Sequence, residues 1–167
     1  MPYFKVFNIQ NQKIEFDQRT QYITHEFHSN KMKRSIIYPG DVIMNIVGPP
    51  LAKVAIVPDE YPESNINQNI CIFRPIITDL NEWIYTYLCA KTFLLQINLV
   101  GSTGQDFMSG TKCKGIMVPL APLKEQKAIV EKVNSLMALC DELEQEVDNS
   151  QSQIEQLMQS CLKEVFV

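Results

Sequence analysis

Catalytic raw material is scarce in this sequence. Its 167 residues include only two histidines. These, His25 and His28, have no clear acid or thiol at ligand spacing to complete a metal site, so they read as surface or structural residues and no metal is expected. Glycine is also sparse, at six residues, and neither GxGxxG nor a Walker P-loop occurs. The step Gly48-Pro49-Pro50 lacks the Asn or Asp and the aromatic residue of an Asn-Pro-Pro-aromatic methyltransferase motif. Pro58-Asp59 and Glu125-Gln126-Lys127 stand too far apart to form a nuclease pair. These absences predict no catalytic residues, no cofactor and no enzyme activity. The five cysteines, Cys71, Cys89, Cys113, Cys140 and Cys161, form no CxxC pair. Free thiols in a reducing compartment are expected, not a disulfide framework or a zinc knuckle. With neither a run of about 18 apolar residues nor a leader-like start, the chain reads as cytoplasmic, with no membrane contact.

The charge is unevenly distributed. From Ala121 onward there are four Lys against nine Asp or Glu, a balance of −5, while the first 120 residues carry +1. An acidic tail therefore masks a near-neutral front segment with local basic clusters, at Lys31, Lys33 and Arg34 and again at Lys112 and Lys114.

Residues 1–118 predict a small mixed domain of α+β class. Candidate strands are Tyr3 to Ile9, Asp41 to Val47, Lys53 to Val57 and Ile66 to Phe73, each rich in Val, Ile or Phe and bounded by Pro, Gly or Asn. Gly48-Pro49-Pro50 predicts a hairpin-like connection between the second and third. Asp79 is a plausible N-cap for a helix carrying Leu80, Trp83, Ile84, Tyr87, Leu88 and Lys91 at helical spacing. Gly101-Ser102-Thr103-Gly104-Gln105 then predicts a polar loop.

The C-terminal segment, 119–167, has no Gly or Pro after Pro122, and Pro122 suits a helix's first turn. One long helix is predicted. Its apolar positions Ile129, Val133, Leu136, Cys140, Leu143, Val147, Ile154, Leu157 and Cys161 alternate spacings of four and three when Ser150 is counted in the gap. That 3.5-residue period is a coiled-coil seam, which calls for a partner helix; the alternative is a helix folded back on its own domain. The span Ile129–Cys161 would be roughly 50 Å long, a spacer exceeding one DNA turn of about 34 to 36 Å.

DNA reading demands less than catalysis: cations for phosphates and a few amide, hydroxyl or guanidinium groups for base edges. Lys31, Lys33, Arg34 and Lys112 can supply the first, and Ser102, Thr103 and Gln105 the second.

Four motifs in order, PGDVIMNIVGPPLAKVAIVP, NINQNICIFRP, GSTGQ and VPLAPLKEQKAIVEKVNSLMALCDELE, resemble the specificity subunit of type I restriction–modification enzymes. The resemblance runs from Pro2 to about Glu144. It implies a target recognition domain followed by a conserved-region spacer helix, with no active site of its own. It also implies double-stranded DNA as ligand and separate methylation and restriction subunits as partners. Complete members resemble two such units in tandem, each reading half of a bipartite target. Here one recognition domain and one helical region are present, and Pro2-Tyr3-Phe4-Lys5 resembles a segment that members place after an opening strand and helix. The chain is thus expected to be a half-subunit lacking that opening strand and helix, either a fragment or a short form that pairs with itself or a second half-subunit through the helix. A second reading is an assembly or decoy element that pairs without reading DNA.

Overall fold

Val42–Asn45 is buried at every position, and it forms the middle of a sheet in the computed structural model, which describes residues 1–97 and 107–165. In chain order the strands are β1 (Tyr3–Phe4), β2 (Ile9–Gln10), β3 (Lys13–Ile14), β4 (Ile36–Ile37), β5 (Val42–Asn45), β6 (Val54–Ile56), β7 (Ser64–Ile66) and β8 (Ile70–Phe73). The helices are α1 (His25–Ser29), α2 (Asn81–Cys89), α3 (Gly110–Lys114) and α4 (Leu123–Val165), with short 3-10 turns between elements. Met1–Ala121 forms one compact unit and Pro122–Val167 a second.

The front unit is built on the period-two alternation of an antiparallel sheet ordered β6-β5-β8. Val42 and Met44 face one core and Ile43 the other. The neighbouring strands obey the same rule: Val54 and Ile56 join Val42, whereas Ala55 joins Ile43, and on β8 Cys71 and Phe73 alternate with Ile70 and Ile72. Because β5 has protein on both faces, Val42 to Met44 are apolar without a solvent-facing alternate. One face packs against α2 through Leu88 and against the buried Phe93 and Met108. The other packs on Phe4, Ile9, Phe16, Ile37 and Ile66, contributed by the hairpin β2-β3 and a second sheet, β1-β7-β4. In that second sheet β1 pairs parallel to β7 and β4 antiparallel to it. Around Phe4 the rings of Phe16 and Tyr61 stand edge-on at 5.1 and 5.0 Å, the arrangement the aromatic quadrupole favours.

Several boundaries differ from the sequence expectation, each for a local reason. Tyr3 to Ile9 is not one strand. Asn8 is buried, accepts the Lys5 N–H through Oδ1 (3.0 Å) and donates through Nδ2 to the carbonyls of Glu15 and Arg19, so its side chain replaces ladder bonds with a turn. Ile66 to Phe73 is likewise broken, because the Ile70 N–H bonds the Asn67 carbonyl (3.2 Å) and sends β7 and β8 into different sheets. Asp79 does not cap α2. It lies in a 3-10 turn, Thr78–Leu80, and the helix starts at Asn81, whose Oδ1 accepts the Glu82 N–H (2.7 Å).

The β5-β6 connection is an antiparallel hairpin around Gly48, at φ +102°, a conformation that glycine tolerates best. The fully buried Asn45 holds it from inside. Nδ2 donates to the Val47 and Pro50 carbonyls (3.3 and 3.0 Å), and Oδ1 accepts the Lys53 N–H at 2.6 Å.

α4 runs for 43 residues, on the order of 60 Å at the α-helical rise. In the single chain its seam lies open, with Leu143, Val147, Ile154 and Leu157 each more than half exposed, at 53, 61, 56 and 65%. Among the described residues no helix is long and apolar enough to cross a membrane.

Candidate nucleic-acid interface

The first basic cluster sits on a segment pinned from beneath. Thr24 starts α1 by accepting the Phe27 N–H through its hydroxyl at 3.2 Å. His28, on the inner side, is buried with Nδ1 at 2.5 Å from Asn65 Oδ1 on β7 and Nε2 at 3.4 Å from Glu63 Oε1. The amide orientation of Asn65 is fixed because its Nδ2 donates to the Met32 carbonyl and Ser35 Oγ, both at 3.0 Å. An amide oxygen only accepts, so Nδ1 of His28 is the donor in this pair. This histidine is a structural anchor, while His25 stays exposed. Clamping residues 28–35 onto β7 leaves Lys31, Lys33 and Arg34 exposed, with the Lys31 ammonium 5.5 Å from the Phe27 ring centroid.

Two of those cations border an open groove of about 480 Å³, where Lys31 and Arg34 face Tyr3, Asn67 and Gln68, with Cys71 of β8 also in the lining. Lys33 does not line it. Asn67 follows β7, its N–H bonded to the Phe4 carbonyl (3.0 Å), and its buried Oδ1 has no hydrogen-bond partner among the described residues; Gln68 is exposed beside it. Burial raises the Tyr3 phenol, which therefore stays protonated and able to donate. The Cys71 thiol is lowered by its hydrogen bond with Cys113, against the effect of burial, and the Lys114 charge adds to the lowering. That bond and burial both raise Cys113. Among the described residues no carboxylate lines the groove. Cations and amides without acids suit an anionic ligand that also presents donors and acceptors.

The remaining candidates fall elsewhere. Lys112 is half-buried on α3, where its N–H bonds the capping Ser109 hydroxyl at 3.3 Å, and it does not line the groove. Ser102, Thr103 and Gln105 lie outside the described residues. Past them, Phe107 bridges to Val47 and the Met108 N–H bonds the Ile46 carbonyl (2.9 Å). Arg74 is engaged as a brace. Its Nε and Nη2 reach the two oxygens of the buried Asp41 at 2.7 and 2.6 Å, and Nη2 also reaches the Ile36 carbonyl at 3.0 Å. The hydrogen bonds to Asp41 raise the guanidinium further above its ordinary range. No group of three or more His, Cys, Asp or Glu able to hold a metal occurs among the described residues.

Tyr3, Asn67 and Gln68 are groove residues absent from the sequence-based candidates, although they lie in segments that carry the family resemblance. The visible signal is the amide-rich run Asn65 to Asn69, which interrupts two apolar strands.

Comparison with known proteins gives this arrangement its context. Residues 1–156 match the family model described as the type I restriction modification DNA specificity domain. The chain belongs to this family. The specificity domain is 39% identical over 107 residues to the EcoKI specificity subunit of Escherichia coli K12, covering 64% of this chain and 22% of that one. It is 39% identical over 74 residues to the StySPI specificity subunit of Salmonella potsdam, covering 44% and 16%. The chain thus spans about a fifth of the length of these relatives. Among solved structures, the HsdS subunit of Thermoanaerobacter tengcongensis superposes with a TM-score of 0.70 at 23% identity, over 95% of this chain and 41% of that one. The fold is the mixed α+β domain and long C-terminal helix of those structural neighbours.

Proposed function

We propose that this specificity domain is a DNA-recognition component of a type I restriction–modification complex. Its front unit, a target recognition domain, reads one half of a bipartite target in double-stranded DNA. Its spacer helix pairs with another half-module, a second copy or a separate half-subunit, and docks methylation subunits. The restriction subunit joins that assembly. The chain itself is non-catalytic and binds no cofactor, and it works in the cytoplasm. The observation that carries the reading is the family match over nearly the whole chain. The acid-free groove of Lys31, Arg34, Asn67 and Gln68 supports it locally.

Roles divide by chemistry. Lys31, Arg34 and the adjacent Lys33, with Lys112 on α3, neutralise phosphates, and that contact is insensitive to sequence. Ser102, Thr103 and Gln105, with Asn67 and Gln68, supply the side chains suited to base edges. Changing Lys31, Lys33 and Arg34 together to Ala should flatten the salt dependence of DNA binding by about 0.9 log units for each phosphate no longer neutralised, equally on all sequences. Changing Gln105 or Gln68 to Ala should cost roughly 1 to 3 kcal/mol at one base position and leave the salt slope intact. A salt series on the chain assembled with a methylation subunit measures both. An unchanged slope in the triple variant removes the basic cluster from the interface.

A second reading, in which the chain is an assembly or decoy element that pairs through its helix without reading DNA, draws on the open seam of α4. Pairing without any base preference would favour it.

A further inference from the structure

We propose that a second groove, at the opposite edge of the β6-β5-β8 sheet, holds a phosphodiester of the DNA backbone. The inference rests on the recognition reading above and extends its contact surface to residues outside the basic cluster.

Among the described residues, the non-glycine positions with left-handed backbone are Asn11 (φ +48°), Gln12 (+59°), Ala52 (+58°) and Lys91 (+57°). All of them line one groove of about 350 Å³. Such conformations are unfavourable for residues with a Cβ and concentrate where a side chain is held for use. Gln12 takes the second position of the two-residue β2-β3 turn, and Lys91 follows the C-cap of α2. Glycine is the ordinary occupant of both positions. The chain instead keeps an amide and an ammonium there, and both border the same space.

The surroundings have one electrostatic sign. Lys53 joins Lys91 in the lining, with its backbone fixed by the Asn45 bond described above, and Gln10, whose Nε2 donates to the Phe7 carbonyl at 2.9 Å, adds a further amide. The Tyr85 hydroxyl lies 3.2 and 3.3 Å from the backbone and side-chain oxygens of Gln12 and ties the turn to α2. Among the described residues no Asp or Glu lines the groove, and burial raises the Cys89 thiol so that it stays neutral. Two ammoniums among amide donors, in an open cleft without acids, suit a monoanionic phosphate. This groove borders β6 and the first borders β8, the two edge strands of the β6-β5-β8 sheet.

Lys91→Gly tests the assignment because it relaxes the backbone while removing the charge. In the chain assembled with a methylation subunit, K91G should raise the melting temperature yet weaken binding to duplexes of unrelated sequence by a common factor. The salt slope should become shallower by about 0.9, and Lys91→Arg should restore it. If the wild type binds duplex and K91G binds with the same affinity and slope, the groove is not a backbone contact. Inorganic phosphate titrated into the wild type and K91G distinguishes a free-anion pocket: saturable phosphate binding abolished in K91G, with DNA binding unaltered, also overturns the proposal. A wild-type assembly that binds no duplex overturns the recognition reading itself, and this extension with it.

Discussion

Asn45 shows how one side chain stabilises two features at once. Its three bonds close the 47–53 loop, and that loop sets both the β5-β6 register and the position of Lys53. Asn45→Ala would remove all three bonds from the Lys53 N–H and the Val47 and Pro50 carbonyls, a loss of about 2 kcal/mol. Urea denaturation should show a lower midpoint with an unchanged m-value; an unchanged midpoint would mean that water or backbone replaces the amide at no cost. Little of this is legible in the sequence. Asn45 sits inside the apolar run VIMNIV, where a polar residue looks like a strand interruption, and its partners come together only in the folded chain. The same holds for His28. Its lack of ligand spacing marks it as surface or structural, but its bond to Asn65 joins residues 37 positions apart. No local pattern encodes that pairing.

At the level of elements, legibility follows periodicity. The β5, β6 and β8 segments are recognisable as short apolar runs bounded by Pro, Gly or Asn, apolar throughout because their side chains enter two cores. The opening strand departs from expectation because Asn8 bonds across the turn, and a side-chain bond of this kind leaves no periodic trace. The long helix is the plainest element, since Gly and Pro vanish after Pro122 and apolar residues recur at the coiled-coil period. Met137, Leu139, Met158 and Leu162 are exposed next to seam positions, widening the apolar face beyond a strict two-per-heptad stripe. Replacing Leu143 and Val147 by Glu puts like charges into any seam they form and should abolish pairing. Light scattering should then report a smaller species than the wild type. Identical monodisperse species for both would rule out association through this face.

For the whole molecule, the division of charge matters more than its sum. The acidic α4 region conceals a front unit whose two acid-free grooves flank one sheet, and a net charge of −4 alone would argue against a polyanionic ligand. An acidic helix repels polyanions at long range, so on the proposed reading the front unit's local cations would set where DNA approaches. The groove positions in the NINQN run and the left-handed turns are not legible in the sequence, because they depend on how distant segments meet around the sheet. The family-level reading is legible, since four motifs stand in order along the chain. Above all, the front unit is expected to read bases. The direct test is selection from a random-sequence duplex pool by the chain, alone and assembled with a methylation subunit. Enrichment of one defined half-site is predicted, and it should disappear when the front unit's base-facing amides are replaced. Pairing and assembly with no enriched sequence would contradict a base-reading front unit.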